Sequence, residues 1–301
     1  MPDSPTVAER HEEAVREVEG WLEAALRTPR RLSHDDIERY SAHGIIRGWR
    51  VPVEVAGETQ ELDIIITAAF PYLPPRIALA SPPSFLTWPH VERDGVLCLT
   101  PDHTTFSTGA PISVIGALLQ RACDLLSQIA AGGTSEDFKS EVVSYWSQDA
   151  NLKRRRILSL IVGGWTQSRI VKCRLGEDSI IVANDDHAIS RWIRNRFPAT
   201  RSVKTSTGAL IRLNDSLTPD RFPKTGLDVY RLADSVGCAH LLDQAATLDP
   251  QEVVAIFSLP AADGHAVVAT VVEHPKRRHG EGITNGFRKG GGAISSVMGA
   301  R

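Results

Sequence analysis

The sequence predicts an α+β protein in two parts, and three observations carry the prediction. An amphipathic helical pattern at 5–27 comes first, strand-like runs then follow one another with no helix between them, and helical patterns at 112–129 and 135–146 close the first half. Strands that are consecutive rather than interleaved with helices favour an antiparallel meander with the helices segregated from it. The third observation is length, since 301 residues suit two domains of roughly 150 residues, each able to bury its own core. The expected division is 1–150, then 151–275 as a smaller α+β linker or accessory domain, then 276–301 as a flexible glycine-rich, basic tail or the start of a further domain.

Each element follows from a local pattern. In 5–27, Val7, Ala8, Ala14, Val15, Val18, Leu22, Ala25 and Leu26 form an apolar stripe, Ser4 offers a cap and Pro29 a stop. HGIIRGWRVPVEV (43–55) and ELDIIITAAF (61–70) have strand character and are joined by the turn-like AGET, while RIALA (76–80) follows a proline-rich corner. Residues 81–111 carry many prolines and few regular signals, and loops of that length are usually functional when ordered. Ile112, Ile115, Leu118, Leu119, Ala122, Leu125, Leu126 and Ile129 then recur at helical spacing, and SEDFKSEVVSYW (135–146) reads as a capped helix. In the second half SRIVKCRL (168–175) and SIIVAND (179–185) read as strands before a helix at 187–196, and EVVAIFSLP and HAVVATVVE flank AADG as a hairpin over 252–273.

Bulk properties exclude several classes. A hydrophobic fraction of 42% with 23% charged residues describes an ordinary globular chain, and a formal net charge of −2 gives no whole-chain attraction to nucleic acid or an anionic membrane. The opening residues are acidic and lack an apolar h-region, and no run approaches eighteen uninterrupted apolar residues, so a cytoplasmic protein with no membrane partner is expected. Cys98, Cys123, Cys173 and Cys238 lie far apart with no C-x-x-C pair, which signals neither a zinc site nor a disulfide framework, and no cofactor is expected. GEGITNG (280–286) has asparagine where a dinucleotide fingerprint needs its last glycine, and the short basic runs at 153–156 and 276–278 read as solvated charge.

The chemistry gathers around Cys98. In FPYLPPRI (70–77), Pro71, Pro74 and Pro75 fix their φ angles and make a stiff corner, with Phe70 and Tyr72 supplying ring surface. WPHVERDGVLCL (88–99) then brings the His90 imidazole and the Cys98 thiol into one irregular segment, separated by a turn at Asp94 and Gly95 that folds the two toward each other. A cysteine between leucines is by itself packing material. Its place after a proline corner and a histidine loop favours a nucleophile.

These residues resemble the ubiquitin-conjugating enzymes. That family carries a tyrosine/phenylalanine-proline-x-x-proline-proline corner, a histidine-proline-asparagine triplet, a glycine turn and an isoleucine-cysteine-leucine. Phe70 to Pro75 match the corner, Gly95 to Leu99 match the cysteine segment, and the eight-residue interval from His90 to Cys98 fits. The resemblance covers roughly residues 5–148 and implies the family's fold: N-terminal helix, antiparallel meander, active-site loop, C-terminal helices. Trp88 stands where the family has histidine and His90 where it has asparagine, so His90 is left with three roles: oxyanion donor, general base for an incoming amine, or loop strut. Trp88 itself reads as packing. Phe106 is a weaker analogue of the tryptophan the family places after its cysteine, and Asp102 and His103 are supporting candidates for orienting the acceptor.

What the resemblance implies is an acyl carrier. Cys98 would take the C-terminus of a ubiquitin-like protein, or of a cyclic-oligonucleotide synthase in antiphage (CBASS-like) defence, as a thioester from a ThiF-like activating enzyme and pass it to a target amine. The departures point to divergent bacterial members, in which such domains are encoded with or fused to ThiF-like enzymes. Two alternatives stay open: a non-catalytic adaptor of the same fold, and the front part of a fused activating and conjugating enzyme.

Overall fold

The computed structural model describes residues 6–25, 29–99, 106–148, 155–200, 202–261, 264–273, 276–279, 282–285 and 294–300. Contacts divide the chain into two units, Met1–Thr134 and Ser135–Arg301.

In the first unit α1 (Val7–Ala25) buries His11, Ala14, Val15, Val18 and Leu22, one stripe at helical spacing. Thr6 and Glu9 form the reciprocal bonds of a capping box at its start, Thr6 N–H donating to Glu9 Oε2 at 2.8 Å and Glu9 N–H to Thr6 Oγ1 at 3.3 Å. Ser4, the cap expected from sequence, lies outside the described residues. Next come β1 (Arg30–Arg31), α2 (His34–Glu38), a short 3-10 turn Ser41–His43, β2 (Ile45–Val55), β3 (Glu58–Thr67) and β4 (Arg76–Leu79). The strands form an antiparallel sheet in chain order, β1-β2-β3-β4.

Alternation along β3 splits the unit's core in two. Leu62, Ile64 and Ile66 face a cluster with Trp49, Val51, Val15, Val18, Leu22 and the apolar stripe of α3 (Pro111–Ala130). Ile65 faces the other way, onto Leu32, Tyr40, Ile45, Ala78 and Val96. Asp63 shares that second face and is fully buried, which only its partners make tolerable: Arg50 Nε at 2.6 Å, Arg50 Nη2 at 2.8 Å and the Tyr40 hydroxyl at 2.8 Å. α3 is long and apolar enough on length and composition to cross a bilayer. Its Ile115, Leu118, Ala122, Leu126 and Ile129, however, are buried in the core.

The second unit starts with α4 (Thr134–Ser140) and α5 (Val142–Gln148), two short helices where the sequence suggested one helix closing the first half. The strands are β5 (Arg155–Ser159), β6 (Arg169–Leu175), β7 (Ser179–Ala183), β8 (Ser206–Arg212), β9 (Glu252–Ala261), β10 (Gly264–Glu273), β11 (Lys276–His279), β12 (Gly282–Asn285) and β13 (Ile294–Ala300). Helices α6 (Asp186–Arg196), α7 (Gly226–Asp234) and α8 (Ala239–Leu248) complete it. Seven strands close into a barrel, β10-β13-β5-β7-β6-β8-β9, while β11 and β12 pair separately. Val253 to Leu259 are all buried, because one face of β9 fills the barrel and α8 packs against the strand. A strand covered on both sides has no polar alternation.

Two observations differ from the sequence expectations here. The described stretch Ile294–Ala300 is a barrel strand paired with β10 and β5, within the segment read from the sequence as a flexible tail or the start of a further domain. The units also divide at Thr134 and Ser135 rather than at 150.

Candidate active site

The segment before Cys98 is a small hairpin laid along the edge strand β4. Glu92 N–H donates to Val96 O at 2.8 Å, Gly95 N–H to Glu92 O at 2.9 Å, and Cys98 N–H to His90 O at 2.9 Å. Its outer arm pairs with β4 through Leu97 N–H to Ile77 O at 2.8 Å and Leu79 N–H to Gly95 O at 2.9 Å. Gly95 makes this approach possible. Its φ is +93°, and a Cβ there would stand 2.8 Å from the Leu79 carbonyl oxygen. Val96 and Leu97 pack into different clusters, one on each face of this arm, and are both buried, and Cys98, the next residue, emerges exposed.

Beside it lies an open groove of ≈ 470 Å³, walled by Leu73, Pro74, Pro75, Ile77, Leu97, Leu99, Phe106 and Leu118, with His43, Thr67, Arg76 and Glu92 as its polar members and Cys98 at its lining. The proline corner is rigid from below. Phe70 is 1% exposed, its peptide to Pro71 is cis, and its carbonyl accepts from His11 Nδ1 of α1 at 2.8 Å. Pro71 and Pro75 are buried, Pro74 half-buried. The structure therefore brings Cys98 and the proline corner into one site.

The other expected residues fare differently. His90 is tied to Cys98 through its main-chain carbonyl, with a half-buried side chain that is not among the groove's lining residues. Its φ is +59°. Asparagine and histidine are both enriched among non-glycine residues in this left-handed region, which gives a conformational reason for one to stand in the other's place. Trp88 is half-buried and packs on the helix-and-sheet core together with Leu99 and Phe106. Asp102 and His103 lie outside the described residues.

Sequence reasoning missed two groups. His11 is no part of the apolar stripe read from the sequence, yet its buried ring holds the Phe70 carbonyl of the corner. His43 reaches the groove from the 3-10 turn before β2: its Nε2 is 2.9 Å from Asp94 Oδ2 and 3.4 Å from Glu92 Oε2. The ligand atoms of these three residues lie within 4.8 Å of one another. A carboxylate is acceptor-only, so the close contact requires the proton on Nε2 and leaves no lone pair there for a cation. Glu92 also faces Arg76 at 3.7 Å, and Asp94 accepts from Val96 N–H at 3.3 Å. No local pattern connects His43 with Glu92, since the sheet register makes the contact.

The remaining cysteines have no comparable setting. Cys173 is buried in the barrel, where desolvation pushes its thiol far up. Cys123 is half-buried on α3 and is pushed up by burial and then by Asp124, and Cys238 is half-buried near Val236 O.

The first unit thus presents an exposed cysteine leaving a glycine-turned hairpin beside a proline-walled groove. The model of one family, prokaryotic E2 family B, matches residues 22–155, less than half of the chain. No curated protein and no solved structure matches the chain.

Proposed function

We propose that the first unit has the ubiquitin-conjugating fold and is an acyl carrier, with Cys98 as its nucleophile. A ThiF-like activating enzyme delivers the C-terminus of a ubiquitin-like protein, or of a cyclic-oligonucleotide synthase in an antiphage system, and Cys98 passes it to an amine. The observation that carries this reading is the exposure of Cys98 beside a stiff groove while the residues preceding it are buried. Transthiolation asks little more of a protein. One thioester replaces another, so the step is near balance and the protein contributes position and access. Phe70 through Pro75 brace the groove, and His90 holds the loop through its carbonyl. The adaptor alternative leaves an exposed thiol at this position without a task.

The test is charging with an activating enzyme, ATP and a tagged donor, read by intact mass. A thiol-sensitive adduct is expected on the unaltered protein and none on Cys98→Ala. An adduct that persists in Cys98→Ala overturns the assignment. Iodoacetamide gives an independent readout, since Cys98 should alkylate well ahead of Cys123, whose thiol is held protonated by burial.

A further inference from the structure

On every other helix each lysine or arginine has a carboxylate three or four residues away in the chain, and on α1, α4 and α7 the pair is formed: Arg10 with Glu13, Lys139 with Glu136, Arg231 with Asp228. α6 breaks this pattern. Arg191, Arg194 and Arg196 are exposed, none has a hydrogen bond or ion pair among the described residues, and residues 187–205 contain no carboxylate. The acidic residues of this helix are committed at its other end, Asp185 as the cap accepting from Ala188 N–H and Asp186 accepting from Thr205 Oγ1 at 2.6 Å. Arg191 and Arg194 are instead each other's neighbours at i,i+3, a like-charge pair that destabilises a helix, on the face opposite the buried Ile189 and Ile193. Cations in the last turn answer the helix dipole, which accounts for Arg194 and Arg196 but not for Arg191 before it. Phe197 ends the helix directly after them and is 56% exposed, so a bare ring stands beside the cationic turn. Trp192 and Phe197 also line a groove of ≈ 700 Å³ that includes Glu177, Asp178 and Glu252. Those carboxylates repel an anion, which leaves the outer face of α6 as its path.

We infer that Arg191, Arg194, Arg196 and Phe197 form a binding surface for single-stranded nucleic acid, a function separate from the thioester chemistry of Cys98. The guanidinium groups take backbone phosphates, each a planar fork that matches two phosphate oxygens. Phe197 takes one unpaired base by stacking. That base supplies a flat π face for the exposed ring, which the carboxylates of an acidic peptide do not, and a duplex keeps its bases out of reach inside the stack. The attraction is local, in a chain whose net charge is −2. Lys204 adds little to it, because it shares a smaller groove with Asp249, Glu252 and Glu273. Phosphate contacts from these arginines make binding sequence-tolerant and salt-dependent: for a single strand, log K falls with log salt by about 0.7 per contact, a slope of about −2 here.

The test titrates the full-length protein into a fluorescein-labelled oligothymidylate and reads anisotropy. Binding in the micromolar range is expected at about 50 mM salt, weakening about 20-fold at about 200 mM by the slope above. Arg191→Gln combined with Arg194→Gln should reduce the slope to about −0.7, since one phosphate contact then remains. Phe197→Ala should weaken binding about tenfold at an unchanged slope, because stacking releases no counterions. All of these side chains are exposed, so the variants keep the core that Ile189 and Ile193 build. No binding at about 100 µM protein in low salt, a slope unchanged by the arginine pair, or an affinity unchanged by Phe197→Ala overturns the surface. Displacement of the oligonucleotide by polyglutamate at equal charge would assign the surface to acidic protein, and equal affinity for a duplex of the same length would remove the preference for single strands; either result also overturns the inference.

Discussion

Replacing Gly95 with alanine tests whether the hairpin that presents Cys98 is held by a backbone approach only glycine permits. At φ +93° a side chain is strained, at a cost of roughly 1–3 kcal/mol. The new Cβ would also meet Leu79 O at 2.8 Å and Pro82 Cβ at 3.2 Å. The first neighbour is backbone inside the sheet and cannot swing aside, so the hairpin must move off β4, weakening the Leu79 N–H to Gly95 O bond, worth about 0.5–1.5 kcal/mol. Together these give roughly 1.5–4.5 kcal/mol, which at 1.4 kcal/mol per decade is about 10- to 1600-fold in local opening. Hydrogen exchange at the amides of Leu79 and Leu97, both donors across this seam, reads that opening directly. Exchange of the β9–β10 ladder in the other unit should not change. Protection at Leu79 and Leu97 within threefold of the unaltered protein would refute the claim that close approach, rather than loop flexibility, demands glycine here.

Two further perturbations probe the scaffold beneath the site. Asp63→Ala leaves Arg50 inside the protein without its closest counter-charge, the one whose hydrogen bond raises the guanidinium's pKa, and should cost about 3–5 kcal/mol; an unchanged urea midpoint for the β2–β3 amides would show the cluster to be idle. Asp36 is held well below the usual carboxylate range, first by Arg30 and then by Ser33. Its depressed folded-state value means that its contribution is complete above the unfolded carboxylate range, about pH 4, and is lost as pH falls toward the folded value. Asp36→Asn should therefore cost about 1 kcal/mol at neutral pH through the helix start it caps and flatten the acid limb of stability below about pH 4. Parallel acid limbs in the two proteins would count against it.

What the sequence made legible was local. The stripe of α1, the strand character of β2 and β3 and the spacing of α3 follow from side-chain periodicity, and each forms within a few residues of the expected bounds. The barrel was not legible. Its closure depends on parallel neighbours far apart in the chain, β8 beside β9 and β5 beside β7, and no periodicity encodes a neighbour. β13 was harder still, because Ile294–Ala300 joins the sheet through main-chain pairing rather than through a conspicuous apolar run.

The same division governs the site. The proline corner and the glycine before the cysteine are motifs because each fixes its own backbone, so they can be read in order along the chain. Burial of Cys98 cannot be read from its two leucine neighbours, because it depends on where the bridged arm ends, just after Val96 and Leu97. Cover on both faces reaches as far as Leu97, whose N–H bonds Ile77 O, and the thiol of the next residue is exposed. His43 joins the groove for the same kind of reason. It is 49 residues before Glu92 in the chain, and the two meet only because the turn before β2 and the hairpin beside β4 end at the same edge of the fold. A polar wall assembled in this way leaves no spacing signature in the sequence.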